Sequence, residues 1–196
     1  GIETNEDQIF SSGYVAAVYV NERKKKNRRN YRILIIGTEN LKKEFYNLGI
    51  KVVERPPCDY LVVGYDTNFD YNGICLGLDT LMSSAKFIAC NLVANYPGEN
   101  GKLQPGCGAM VGAISAAVQR KPDIVIGKPK TIMPKLLAKT TGLNPQEILM
   151  VGDDPQYDIA MANHFGCQSV LITEKQIKKS ITNKLESTHT IKTLTD

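Results

Sequence analysis

Short apolar segments that alternate with helix-like stretches are the feature of this sequence that most restricts its fold. The apolar segments are rich in β-branched residues, and several helix-like stretches end at a glycine, as at Gly49, Gly142 and Gly166. Strands are predicted at 31–36, 50–53, 60–63, 87–90, 124–126, 148–151 and 169–172. Because short apolar strands separated by helices form parallel sheets covered on both faces, the pattern predicts an α/β fold.

One helix is predicted before the first strand, and others are predicted between the strands, apart from a loop at Pro56-Pro57 and a second loop further along. Helices are expected over 12–22, 41–48, 72–84, 107–119, 131–141 and 155–165. The stretch 97–105 holds two prolines and two glycines, and it is predicted to be a loop. The last twenty residues are polar and give only weak signals for either kind of element.

This rhythm divides the chain into three predicted parts. Residues 1–29 are expected to form a fragment of a core domain and a linker, and residues 30–122 a separate α/β domain. Residues 123–196 have the pattern of the second half of a parallel α/β domain. The first half of that domain is expected to be missing from the sequence.

Composition and cysteine spacing argue against a membrane or secreted protein. No stretch approaches the ~20 apolar residues that span a bilayer, and the polar, acidic start does not resemble a signal peptide. The five cysteines are scattered and never form a Cys-x-x-Cys pair, so neither a zinc site nor a disulfide framework is indicated. We therefore expect a cytoplasmic protein with no membrane partner.

A basic stretch, 23–32, is a strong local concentration of charge. It holds seven basic residues and no acidic one, and the rest of the chain carries a net charge of −3 against +4 for the whole. A nucleic-acid or membrane-surface patch is one interpretation. We favour a solvated loop, because no set of aromatic residues for base stacking accompanies the charges. No nucleic-acid partner is therefore expected.

An acidic segment that follows the predicted strand 148–151 is the strongest sign of chemistry. Gly152 permits a tight turn, and Asp153 then stands at the carboxyl end of the strand, where open α/β sheets bind ligands. Asp154 suits the N-cap of the next helix, and we expect capping to be its whole role. Asp158 falls in the first turn and is able to reach back toward Asp153. Clustered carboxylates favour Mg²⁺, which stabilises charge on a phosphoryl group.

A single lysine follows the predicted strand 124–126, in the segment Gly127-Lys128-Pro129. A lone lysine after a strand is usually only solvated. With the Asp153 segment about twenty-five residues downstream, however, neighbouring strands could bring the ammonium group and the carboxylate together. A compact positive charge there would bind phosphate and keep nearby carboxylates ionised.

Gly-Lys-Pro followed by a helix and then by Val-Gly-Asp-x-x-x-x-Asp-Ile resembles the third and fourth motifs of haloacid-dehalogenase-like (HAD) phosphatases. Segments 60–66, 85–91 and 103–109 resemble the large α/β cap domain of the NagD, p-nitrophenylphosphatase and phosphoglycolate phosphatase group. The resemblance implies a HAD-like parallel core, incomplete in this chain, with a large α/β cap. The segment Asn91-Leu92-Val93 replaces the Asn-Pro-Asp usual in that group, which puts a contact between cap and substrate in doubt.

The resemblance implies a Mg²⁺-dependent phosphomonoesterase that acts on a small phosphorylated metabolite. In that family an aspartate of an Asp-x-Asp motif forms an aspartyl-phosphate, a lysine binds the phosphoryl oxygens, and a later aspartate helps to hold the metal. Lys128 matches the phosphate-binding lysine, Asp153 the metal ligand, and Asp158 a position that supports the metal site. No Asp-x-Asp motif occurs in the sequence, so no catalytic nucleophile is assigned. We expect the nucleophile upstream of residue 1, and the chain alone to be inactive.

Two other functions stay open at this point. A non-catalytic HAD-like protein that binds phosphate or a metabolite would keep the lysine and the acidic segment and would need no nucleophile. A nucleotide-binding α/β module of another kind has weaker support, because the sequence has neither a glycine-rich dinucleotide motif nor a P-loop. The physiological substrate is not indicated, and a homodimer is an open form of assembly.

Overall fold

The computed structural model of the chain describes residues 3–174 and 186–194. The protein is a mixed α/β structure built around parallel strands, which confirms the predicted fold class. The chain divides into two compact units, Gly1–Gly127 and Lys128–Asp196. The division into three domains remains a prediction.

The first unit is organised around a parallel sheet with the strand order β2-β1-β3-β4-β7, and β5 and β6 form a separate antiparallel pair. Its elements are α1 (Ser12–Asn27), β1 (Arg32–Ile36), α2 (Glu39–Asn47), β2 (Lys51–Val53), β3 (Tyr60–Val63), α3 (Tyr71–Met82), β4 (Lys86–Ala89), β5 (Asn95–Pro97), β6 (Leu103–Pro105), α4 (Cys107–Val118) and β7 (Ile124–Val125). The short β7 pairs with β4, so the strand that leads toward Lys128 extends the sheet of this unit.

Apolar residues that lie opposite one another form the centre of this sheet. Leu34 lies opposite Leu61, and Leu61 lies opposite Phe87, in the register of the parallel strands. These side chains are buried, together with Phe45 of α2 and Ile114 of α4. Because helices cover the sheet, its strands are apolar at consecutive positions rather than at alternate ones.

The connections leave β1 and β3 in opposite directions. From β1 the chain passes through α2 to β2, and from β3 it passes through α3 to β4 on the other side. Because such crossovers are right-handed, α2 and α3 lie on opposite faces of the sheet. Helix α2 packs with α1, and α3 packs with α4. The strand order therefore reverses between the carboxyl ends of β1 and β3.

Helix α1 continues through the first half of the basic stretch 23–32, to Asn27, so the prediction of a loop is wrong for residues 23–27. Lysine and arginine are good helix formers, and positive side chains are favourable in the last turn of a helix. Lys24 Nζ also donates to the backbone carbonyl of Gly49 at 2.9 Å, which ties this end of α1 to the loop before β2. The helix ends at Asn27, and its C-cap residue Arg28 has a left-handed φ of 50°.

The predicted loop 97–105 belongs to a β-hairpin: residues 98–102 connect its two strands as predicted, whereas the loop prediction is wrong at 97 and 103–105, which are strand. β5 and β6 pair antiparallel across this stretch. Its two prolines, Pro97 and Pro105, are at the strand ends, where proline is tolerated. The ring of Tyr96 meets the ring of Tyr65 edge-on, and their hydroxyl oxygens are 2.8 Å apart. This contact fixes the hairpin against the residues that follow β3.

The second unit contains a smaller parallel sheet with the strand order β10-β9-β8. Its elements are α5 (Ile132–Thr141), β8 (Leu149–Gly152), α6 (Ala160–Phe165), β9 (Gln168–Ile172) and β10 (His189–Ile191). On the edge strand β8, Leu149 is 53% and Val151 42% exposed, an arrangement that favours association between molecules. Of the polar last twenty residues, 177–185 and 195–196 lie outside the described residues.

The helices within residues 3–174 and 186–194 include none that is both long enough and apolar enough to cross a bilayer.

The cysteines are free, and their thiols differ in burial. Burial raises the pKa of the Cys90 thiol and that of the Cys107 thiol. Because the thiolate is the reactive form, we expect iodoacetamide at mildly alkaline pH to modify Cys75 well before Cys90. Peptide mapping by mass spectrometry gives the order of modification. Equal rates for the two cysteines in the folded protein would contradict this expectation, whereas in urea the rates are expected to converge.

Candidate functional site

Lys128 is brought into an ion pair by the fold of the second unit. Its Nζ donates to Oδ1 of Asp158 at 2.6 Å, although 30 residues separate the two in sequence. The peptide bond between Lys128 and Pro129 is cis. The side chain of Lys128 is 40% exposed, whereas that of Asp158 is 5% exposed. The pair therefore joins a buried carboxylate to a cation that still faces solvent.

Asp158 lies in a π-helical turn, Pro155–Ile159, at the start of the segment predicted to be a regular helix. Its Oδ2 accepts a hydrogen bond from the backbone N–H of Asp154 at 3.2 Å. Both carboxylate oxygens are thus engaged, one by a cation and one by the backbone. A buried charge needs such partners, because an unpaired carboxylate is costly to remove from water. Asp158 therefore holds the ammonium group of Lys128 beside the end of β8.

Gly152 leaves the space in which the carboxylate of Asp158 lies. A Cβ at this position would be well under 3.0 Å from Cβ, Cγ and Oδ2 of Asp158, closer than real Cβ atoms come to other atoms. No side chain fits there without moving the carboxylate, because the interior is already closely packed. The sequence indicates a tight turn at Gly152, but this close approach is visible only in the fold.

Asp154 caps the turn that carries Asp158. Its Oδ1 accepts hydrogen bonds from the backbone N–H groups of Gln156 at 2.7 Å and Tyr157 at 3.1 Å. The capping role predicted for Asp154 is confirmed. The cap and the turn together set the direction from which Asp158 approaches Lys128.

Asp153 follows β8 as an exposed residue, and its carboxylate has no partner among the described residues. Within the same residues, no group of three or more His, Cys, Asp or Glu side chains is placed to bind a metal ion. Mg²⁺ needs fewer protein ligands, because it commonly keeps several waters and takes one or two carboxylates together with phosphate oxygens. A free carboxylate at a strand end, next to an anchored one, fits that requirement.

His164 makes a contact that the sequence does not predict. Its Nδ1 lies 3.3 Å from the backbone carbonyl oxygen of Pro129, although 35 residues separate them. The ring donates this hydrogen bond when Nδ1 carries the proton. The contact joins α6 to the turn that follows Lys128, and no local signal in the sequence identifies the partner.

The fold and these motifs define a HAD-like protein. Residues 125–196 match the hydrolase-like family model described as HAD-hydrolase-like. The sugar-phosphatase AraL of Bacillus subtilis is 29% identical over 91% of this chain and 64% of its own length. Phosphoglycolate phosphatase 1A of Arabidopsis thaliana, a chloroplastic protein by name, is 30% identical over 95% of this chain and 58% of its own length.

Solved structures of phosphatases are also similar to this chain. A p-nitrophenyl phosphatase from Archaeoglobus fulgidus is similar with a TM-score of 0.87 and 26% identity, over 100% of this chain and 76% of that chain. Residues 125–196 are thus HAD-like by family model, and the chain is similar over at least nine tenths of its length to HAD-like phosphatases of the sugar-phosphatase, phosphoglycolate phosphatase and p-nitrophenylphosphatase kind. It spans 58% to 64% of the length of the two curated relatives.

Proposed function

We propose that the protein acts in the Mg²⁺-dependent hydrolysis of a small phosphate monoester. The observation that carries the proposal is the ion pair between Lys128 and Asp158, which lies against the residues on either side of the free carboxylate of Asp153. A cation and a carboxylate presented together at a strand end suit a phosphoryl group bound with a metal ion. The relatives support this chemistry, since they are named as phosphatases of sugars, phosphoglycolate and p-nitrophenyl phosphate.

Lys128 is the proposed ligand of the phosphoryl oxygens. An ammonium group has three N–H donors, and the hydrogen bond to Asp158 uses one of them. The side chain remains 40% exposed, so the other donors are accessible to a phosphate that enters from solvent. Because Asp158 fixes the position of Nζ, little conformational entropy would be lost when the phosphate binds.

Asp153 is the proposed metal ligand, and Asp158 is proposed to support the metal site. When bound, Mg²⁺ would neutralise the charge that develops on the phosphoryl oxygens. Both oxygens of Asp158 are already engaged by Lys128 and by the backbone of Asp154. Its support is therefore positioning rather than direct coordination.

The attack on phosphorus is assigned to no residue of this chain, because the sequence contains no Asp-x-Asp motif. We propose that an aspartate outside these 196 residues forms the aspartyl-phosphate. Lys128 and Asp153 would stabilise the charge of the transition state, and the second aspartate of the missing motif would protonate the leaving oxygen.

A non-catalytic protein that binds phosphate or a metabolite is the second candidate, and the absence of Asp-x-Asp from the sequence favours it. The two candidates differ in what precedes residue 1 in the coding sequence. An in-frame apolar strand that ends in Asp-x-Asp would decide for the hydrolase. A small phosphorylated metabolite is the proposed partner in both cases, and the cytoplasmic location and a homodimer stay predictions.

Mg²⁺ is expected to bind the chain weakly through Asp153. In an NMR titration, the backbone amide resonances of Gly152, Asp153 and Asp154 should shift with added Mg²⁺, and Asp153→Asn should abolish the shifts. Glu174→Gln is the matched control, because Glu174 is an exposed carboxylate of the same unit. Shifts that persist in Asp153→Asn would show that the metal binds elsewhere.

The purified 196-residue chain is expected to release no p-nitrophenol from p-nitrophenyl phosphate in the presence of Mg²⁺, since it lacks the nucleophile. Absorbance of p-nitrophenolate measures the reaction. Clear turnover that disappears in Asp153→Ala would contradict this expectation and would place a nucleophile within the chain.

A further inference from the structure

Basic side chains lie together at the amino edge of the parallel sheet of the first unit, where its strands begin. β1 begins at Arg32, β2 at Lys51 and β4 at Lys86, and these residues are exposed. Arg32 lies opposite Lys51 in the strand register, and β3 alone separates β1 from β4. Since neighbouring strands are ~4.8 Å apart, these positions span about 14 Å.

The end of α1 is fixed against the same edge of the sheet. Lys24 Nζ donates to the backbone carbonyl of Gly49, just before β2, at 2.9 Å. Arg29 forms an ion pair with Asp59, whose other carboxylate oxygen accepts a hydrogen bond from the backbone N–H of Arg32 at 2.8 Å. The last turn of α1 and the residues after it therefore lie beside the starts of β1, β2 and β3.

The exposed cations of this edge form a basic face, which consists of Lys25, Lys26, Arg28, Arg32, Lys51 and Lys86. Their side chains form no ion pair with a described residue. The carboxylates that precede strands at this edge are paired with other arginines, Asp59 with Arg29 and Asp123 with Arg120. Each of these carboxylates also accepts a hydrogen bond from a backbone N–H group. They therefore do not offset the charge of the basic face.

We propose that the basic face binds the phosphate backbone of a nucleic-acid duplex. A duplex carries one negative charge per ~1.7 Å of its axis, so a length of about 14 Å carries about eight phosphates, enough for all the cations of the face. Arg28 and Arg32 are each able to bind a phosphate through two parallel hydrogen bonds. Contacts of this kind fix the position of the duplex and do not depend on its base sequence.

The basic stretch 23–32 presents no aromatic ring to solvent, since its tyrosine, Tyr31, is buried. Aromatic rings bind the exposed bases of single strands, whereas a duplex is held through its phosphates. The expectation of no nucleic-acid partner rests on stacking and so extends only to single strands. A membrane surface is a poorer match, because stable attachment needs an apolar group beside the charges. The inference goes beyond the chemistry proposed for Lys128 and depends on the first unit alone.

Fluorescence anisotropy of a labelled DNA duplex of mixed sequence tests the proposal with the full 196-residue chain. With a duplex of about 20 base pairs in about 50 mM KCl we expect saturable binding. The logarithm of the binding constant should fall with the logarithm of the salt concentration with a slope of about −5, since each contacted phosphate contributes about −0.9. No duplex binding, a slope shallower than about −2, or tighter binding of one separated strand would overturn the proposal. Sedimentation of the chain with phosphatidylserine vesicles, without duplex binding, would assign the basic face to a membrane instead.

A triple variant, Lys25→Gln with Arg28→Gln and Lys51→Gln, tests whether the duplex binds at the basic face. Loss of these phosphate contacts should make the salt slope shallower by about 2.7 and weaken binding in about 50 mM KCl at least about tenfold. The substituted side chains are exposed and form no ion pair with a described residue, so folding is expected to be unaffected.

The matched control is the triple variant Lys43→Gln with Arg55→Gln and Lys102→Gln. It removes the same charge from exposed positions of the first unit outside the basic face, in α2, after β2 and between β5 and β6. Its salt slope should stay close to that of the unsubstituted chain. Equal losses of affinity in the two triple variants would show that net charge alone determines binding, and the proposed basic face would be wrong.

Discussion

Replacing Gly152 with alanine is expected to lower the free energy of unfolding of the second unit by about 3 kcal/mol. The new methyl group would overlap the buried carboxylate of Asp158. Displacing that carboxylate breaks two hydrogen bonds at once, one from Lys128 and one from the backbone N–H of Asp154. Urea unfolding, followed at the amide resonance of Gly166 in the same unit, measures the loss.

Gly112→Ala is the matched control for this substitution. Gly112 lies inside α4, and nothing is found within 4 Å of an added Cβ there. Alanine is the better helix former, so this change is expected to raise the free energy of unfolding of the first unit by about 0.5–1 kcal/mol, followed in urea at the amide resonance of Gly77 in that unit. The two glycine-to-alanine changes should thus have opposite signs. An unchanged urea midpoint in Gly152→Ala would mean that the glycine does not determine the position of Asp158.

Removing the cation of Lys128 is expected to lower the free energy of unfolding more than removing the charge of Asp158. Lys128→Met leaves Asp158 buried and without its cation, and we expect a loss of about 2 kcal/mol. This value is below that for a fully buried pair, because the Lys128 side chain is 40% exposed and water reaches the site. Asp158→Asn is expected to cost only about 1 kcal/mol, since an amide oxygen still accepts from the N–H of Asp154 and the lysine turns to solvent.

The double variant Lys128→Met with Asp158→Asn separates these effects. It should be more stable than Lys128→Met alone, because it no longer leaves an unpaired buried charge. The same urea experiment measures the free energy of unfolding of the unsubstituted protein, the two single variants and the double variant, which together form a double-mutant cycle. If the losses in free energy of unfolding of the two single variants add in the double variant, the two side chains do not interact in solution. The proposed positioning of Lys128 by Asp158 would then be wrong.

Much of the fold follows from the sequence because burial on both faces makes a parallel strand recognisable. The strand Tyr60–Val63 has its predicted bounds, and all of its residues are buried. Glycine and proline also mark the turns that follow strands. Lys128 and Asp153 are identified as candidate site residues because they lie in such turns. Their roles in binding phosphate and metal remain predictions.

The partners of these side chains do not follow from local signals. Lys128 pairs with a residue 30 positions away, and this depends on how two turns of the second unit meet. The hairpin of β5 and β6 carries the proline and glycine content of a loop, yet the contact of Tyr96 with Tyr65 accompanies its pairing. Similarly, a run of like charges does not by itself end a helix, so α1 extends to Asn27.

The ion pair of the second unit has an evolutionary consequence. Lys128 and its counter-charge both lie within residues 128–158, together with the glycine and the backbone groups that hold the carboxylate. Substitutions in the first unit remove none of these groups. The sequence of the first unit could therefore diverge among descendants of this protein while the charged pair is kept.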